Sequence, residues 1–122
     1  MTATPQADRK KAKQAAQIAI VEARQAGPMK HYGLVAKGLV PQLGQHGLGQ
    51  TLAYLHGRGK GRETSPYQVL ANQIERHLAE SLPIRSGDLQ TLTSQESQIY
   101  LQATRQTHLF LSELMAFVEK FA

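Results

Sequence analysis

Thr107-His108-Leu109-Phe110-Leu111-Ser112-Glu113-Leu114-Met115-Ala116-Phe117-Val118-Glu119-Lys120-Phe121 is the stretch that decides the fold class. Its apolar members Phe110, Leu111, Leu114, Met115, Phe117, Val118 and Phe121 recur at helical spacing and make one broad stripe. The stripe predicts a helix over about residues 107–121 that forms the central element of the core. Upstream, Pro83 and Gly87 end the preceding helix and Asp88 opens a single turn. Thr93 with Glu96 then forms a capping box leading into Ile99, Tyr100 and Ala103. Ser65-Pro66-Tyr67-Gln68 is another helix start, with Ser65 as cap, Pro66 at the first helical position and Gln68 closing a capping box. The helix it opens buries Tyr67, Leu70, Ile74 and Leu78 and turns Gln68, Asn72, Gln73, Glu75 and Arg76 to solvent.

Further out, Gly57-Arg58-Gly59-Lys60-Gly61-Arg62 reads as a mobile basic loop reaching residue 64. A short helix over residues 48–55 precedes it, carrying Leu48, Leu52 and Leu55 on one face. Before that, a helix from Met29 carries Leu34, Val35, Leu39 and Leu43, is weakened or kinked by Gly38 and Pro41, and ends near residues 44–47. The first helix covers about residues 6–26 behind a flexible N-terminus and stops at Gly27-Pro28. Its alanines Ala12, Ala15, Ala16, Ala19, Ala23 and Ala26 share a face that permits close helix approach, while Ile18, Ile20 and Val21 carry apolar surface to its other sides. No segment alternates with the period of a half-buried strand. The expectation is all-α: a compact single-domain bundle of about five to six helices over residues 1–122.

Composition narrows the function. Fourteen Lys and Arg against nine Asp and Glu give +5, with a pI near 9.8, so the chain attracts polyanions such as nucleic acid or acidic lipid. The absence of cysteine removes disulfides, thiolate zinc sites, iron-sulfur clusters and thiol nucleophiles, and a cytoplasmic location is the simplest expectation. The longest uncharged run, residues 38–57, holds Pro41 and five glycines and does not suit a membrane span. Gln14, Gln17, Glu22 and Arg24 interrupt the apolar run that a signal peptide needs.

Catalytic motifs are absent. Gly47-Leu48-Gly49-Gln50-Thr51-Leu52 starts like a dinucleotide fingerprint, but Leu52 stands where the third glycine belongs and no strand feeds it. In the basic loop Lys60 is followed by Gly61 rather than Ser or Thr, against a phosphate-binding loop. No pair among His31, His46, His56, His77 and His108 has the spacing for a shared metal, and neither Glu75 with Glu80 nor Glu113 with Glu119 shares a helical face. The expectation is a protein without catalysis, metal or cofactor. Positive charge, by contrast, is organised. Gln6, Arg9, Lys10, Lys13, Gln17 and Arg24 fall within an arc of about 100° on an ideal helix. Such a stripe follows phosphates without reading bases, and Lys30, Lys37, Arg58, Lys60 and Arg62 extend it. A different-class reading is a DNA-binding regulator whose recognition helix is residues 48–55 with Gln50, or residues 67–78 with Gln68, Asn72, Gln73 and Arg76. A third is a helical adaptor that binds only protein.

The run Gly47-Leu48-Gly49-Gln50-Thr51-Leu52-Ala53-Tyr54-Leu55, preceded by Tyr32, Lys37, Leu39 and Pro41, resembles the small subunit of the type III-B (Cmr) CRISPR effector complex. Tyr100, Thr104 and Phe117 resemble family positions in the final helices, although Leu114, Met115 and Ala116 stand where members often carry a tryptophan and a basic pair. The resemblance implies a small all-α antiviral defence protein without catalysis of its own. Several copies stack beside other Cmr subunits and line the groove that holds guide RNA and target RNA. The candidate RNA-backbone contacts in this chain are Arg9, Lys10, Lys13, Arg24, Lys37, Arg58, Lys60 and Arg62. Within the motif, Gly47 ends a helix in left-handed geometry, Gly49 allows close approach, Leu48, Leu52 and Leu55 fill the core, and Gln50 and Thr51 are exposed contact candidates.

Overall fold

The computed structural model describes residues 5–27, 29–82 and 98–121, leaving aside the side chains of Pro5 and Phe121. Four helices follow one another in these residues: α1 Pro5–Ala26, α2 Met29–Gly59, α3 Pro66–Ser81 and α4 Gln98–Phe121. The described residues hold no strand, as the missing period-2 pattern requires. The readings placed on Pro28, Pro83, Gly87, Asp88 and the Thr93–Glu96 capping box lie outside the described residues.

Helices are fewer than the breakers suggest, for two local reasons. Residues 48–55 are counted within α2, but Gly47 before them is non-helical, with φ 83° and ψ 169°, so α2 is two helical limbs joined at a kink and the helix expected from Leu48 is its second limb. One left-handed residue turns the axis, and the Thr51 hydroxyl donates to the Gly47 carbonyl at 2.8 Å where the chain resumes its helix. Ile99, Tyr100 and Ala103 belong to the same helix as the 107–121 stripe. No Gly or Pro separates them, and the hydroxyls of Thr104 and Thr107 donate to the carbonyls of Tyr100 and Ala103, at 2.9 and 2.8 Å, staying on the helix surface. Pro41 does not end α2 either. It stands at an exposed position, so the Lys37 carbonyl that loses its helical donor lies on the wet side.

The core bears out most of the apolar faces read from the sequence, but Leu34, read with Leu39 and Leu43 on α2, is 61 % exposed. Phe110, Leu111 and Leu114 of α4 are fully buried with Leu39, Leu48 and Leu55 of α2 and Leu70, Ile74 and Leu78 of α3. Ala12, Ala16, Ala19 and Ala23 are buried on α1, and their small side chains let α1 lie close against α4. A polar junction ties three helices together. The Tyr32 hydroxyl of α2 donates to Gln73 Oε1 of α3 at 2.6 Å, and Gln73 Nε2 donates to the Ala19 carbonyl of α1 at 3.1 Å. On the outer side of that junction Arg76 grips the Glu22 carboxylate with both terminal nitrogens, Nη1 to Oε2 at 2.9 Å, and this pairing holds Glu22 below its ordinary pKa.

Candidate nucleic-acid interface

The basic run between α2 and α3 is more ordered in hydrogen bonds than its composition suggests. Residues 57–59 are still α2, and only residues 60–64 form the turn, entered through positive φ at Lys60 (52°) and Gly61 (72°). Gln68 of α3 holds the turn from below. Its Oε1 accepts from the Gly61 N–H at 3.2 Å, and its Nε2 donates to Asn72 at 3.0 Å and faces His56 Nδ1 at 3.3 Å. With the Gln68 amide on Nδ1, the His56 ring turns Nε2 to the Glu75 carboxylate. Gly59 is what lets α3 come this close: a Cβ there would sit 2.8 Å from Gln68 Cβ and 2.9 Å from its backbone nitrogen. The capping box expected at Ser65 is thus replaced. Ser65 makes no side-chain cap bond, and Gln68 reaches across to the turn instead.

All eight cations assigned from the sequence, Arg9, Lys10, Lys13, Arg24, Lys37, Arg58, Lys60 and Arg62, lie at exposed positions. The structure gathers Arg58 and Arg62. Arg62 donates from Nε to the Gly59 carbonyl at 3.3 Å and from Nη2 to the Arg58 carbonyl at 3.5 Å, which fixes the turn with its charge outward. Arg24 stands at the same end of the bundle, because Ala23, Ala26 and Gly27 pack against Thr64 and Pro66. Arg9, Lys10 and Lys13 are not part of that cluster; on one straight helix Arg9 is about 22 Å from Arg24 along the axis.

Sequence reasoning missed an aromatic cluster beside the turn. The Arg58 guanidinium lies over the Tyr67 ring, 5.2 Å from its centroid, and donates to the Tyr67 hydroxyl at 3.5 Å. That hydroxyl raises the Arg58 pKa above its ordinary value. Tyr67 also meets His31 and Tyr54 edge-on, at centroid distances of 5.7 and 6.0 Å. His31, Leu34, Gly38, Gln42, Tyr54 and Tyr67 line an open groove of about 340 Å³ between the two limbs of α2 and the start of α3. Tyr67 had a place on the core face and is instead half-buried at this groove. The three rings come from positions 31, 54 and 67 on separate segments, and no periodicity links them. The one available signal was Arg58 lying between two tyrosines.

The Gly-Leu-Gly-Gln-Thr-Leu motif is structural. Leu48 and Leu52 are buried, as expected; Gly47 supplies the kink; and the Gly49 N–H donates to the Tyr100 hydroxyl at 3.3 Å, tying the motif to α4. Gln50 is exposed, but Thr51 is fully buried, a correction to its reading as a surface contact, because its hydroxyl serves the kink. The proposed DNA-recognition residues fare similarly. Gln68 and Gln73 are buried and engaged, and Arg76 is held by Glu22. Among the described residues no group of three His, Asp or Glu side chains is placed to hold a metal ion.

Residues 7–121 match the family model described as CRISPR-associated protein (Cas_Cmr5). Neither the curated proteins nor the solved structures yield a significant match.

Proposed function

From a chain that belongs to the Cas_Cmr5 family of CRISPR-associated proteins, we propose a non-catalytic RNA-binding scaffold subunit of the type III-B (Cmr) interference complex in antiviral defence. It neutralises phosphates of guide and target RNA through Arg9, Lys10, Lys13, Arg24, Lys37, Arg58, Lys60 and Arg62. It stacks in several copies beside the other Cmr subunits and keeps target RNA extended for cleavage by a neighbour.

The observation that carries this reading is the division of charge. The eight cations are exposed, whereas Asp8 is buried beside Arg105, Glu22 is held by Arg76 and Glu75 by His56. Asp8, Glu22 and Glu75 thus face groups outside the eight, while Glu63 of the turn and Glu80 of α3 are exposed, and cations outnumber carboxylates along α1 and at the turn. A phosphate chain released onto such a track displaces counterions and binds with strong salt dependence. Ile18, Val21 and Leu101, each more than half exposed, supply apolar surface for neighbouring subunits or copies. The regulator reading loses support on α3, where Gln68 and Gln73 are buried and bonded, Asn72 accepts from Gln68 and Arg76 is held at the surface by Glu22.

Reversing charge at Arg9, Lys13 and Arg24 together is expected to weaken binding of single-stranded RNA at least tenfold in low salt, with the helical circular dichroism unchanged. RNA affinity equal to that of the unaltered protein would remove the stripe from the interface.

A further inference from the structure

We propose that the groove between the limbs of α2 and the start of α3 receives an unstacked nucleobase of single-stranded RNA, with the adjoining phosphate on Arg58. The inference rests on the RNA-binding reading above and adds to it a base-contacting site where that reading has only backbone contacts.

The groove has the parts such a ligand needs. Tyr54, 40 % exposed, and the exposed His31 present ring surface at its wall, and half-buried Tyr67 holds both edge-on from behind. Leu34, 61 % exposed, gives an apolar edge that a base would cover, and Gln42 offers an amide to a base edge. Gly38 also lines the groove, with open space where its Cβ would stand. Charge favours the same occupant. Arg58, over the Tyr67 ring, stands at the rim with Arg62 bonded to its carbonyl from the turn, and no carboxylate lines the groove among the described residues. Aromatic rings beside a fixed guanidinium suit any of the four bases, because each has a π face, and the site need not read sequence. An apolar peptide would gain from Leu34 and Tyr54 but leaves the Arg58 guanidinium beside Tyr67 without an anion, whereas a nucleotide brings both a base and a phosphate.

The test compares three ligands on the full chain: a single-stranded RNA oligomer, the same backbone with abasic sites throughout, and an RNA duplex. The expected result is an affinity for the ordinary strand about tenfold above that for the abasic strand and the duplex. Tyr54→Ala should remove that preference and leave abasic binding unchanged, while Tyr54→Phe should keep it. The Arg9, Lys13 and Arg24 reversal should lower all three affinities alike. Equal affinity of the unaltered protein for ordinary and abasic strands overturns the base site and leaves the phosphate track standing. Binding of none of the ligands overturns both. If Tyr54→Ala keeps the base preference but no longer co-purifies with neighbouring subunits, the groove takes protein and the proposal fails.

Discussion

Gly47 carries the geometry of the whole motif around it. Its φ of 83° is one that side-chain-bearing residues rarely adopt, and an added Cβ would sit 2.8 Å from the Tyr100 hydroxyl that Gly49 needs. Gly47→Ala is therefore expected to lower stability by about 1–3 kcal/mol in urea titration, combining backbone strain with a displaced Tyr100. Gly44→Ala on the same helix, with open space at its Cβ, is expected to raise stability by up to about 1 kcal/mol. His77 makes a second local prediction. It is 4 % exposed, stacks on Phe110 at 5.3 Å, and its Nε2 has no hydrogen-bond partner. Burial lowers its pKa below the ordinary 6.5, against the opposing pull of Glu80 and Asp8 and with a small push from Lys11. The unfolded chain consequently takes up this proton first as pH falls through 6.5, so stability present at neutral pH declines below that value. Urea titrations at pH 7.5 and 5.5 should show that decline, and His77→Phe should reduce it. An identical decline in the variant would place the sensitivity elsewhere.

Among the helices, the Tyr32–Gln73–Ala19 junction decides how α1, α2 and α3 meet. Burial and the nearby Glu22 raise the Tyr32 pKa far above the ordinary phenol value, so its hydroxyl stays a donor throughout the working pH range. Tyr32→Phe leaves the buried Gln73 Oε1 without that donor, and a loss of about 1–3 kcal/mol is expected in thermal or urea unfolding. An unchanged midpoint would mean Gln73 finds another partner. This junction was not legible from the sequence. Gln73 was read as solvent-facing because amphipathic periodicity counts a glutamine as polar, whereas the buried amide satisfies a hydroxyl and a helix carbonyl at once. Apolar stripes behaved differently. Phe110, Leu111, Leu114 and Val118 are buried as their spacing predicts, whereas Leu34, on an apolar set by the same spacing, stays exposed because none of the described helices packs over it. Helix count followed breakers less well: Gly47 does interrupt the helix as its geometry predicts, but the two limbs run on across the kink as α2, and Thr107 lies in the middle of α4.

For the molecule as a whole, the candidate interface was legible as charge and illegible as shape. Arg9, Lys10, Lys13 and Arg24 could be aligned on paper because one helix carries them. The pairing of Arg58 with Tyr67, the support of the turn by Gln68, and the groove behind both depend on how α3 folds back along α2, which no local pattern encodes. The functional reading joins these parts to the family: a basic track, a fixed cationic turn and exposed apolar residues for neighbours. Purification of the tagged chain from its native cells, with mass spectrometry of the proteins and sequencing of the nucleic acid in one eluate, tests that union most directly. Large CRISPR subunits together with short guide RNAs sharing a repeat-derived end are the expected recovery. Recovery of the chain alone, or with genomic DNA at discrete sites, would contradict the scaffold role.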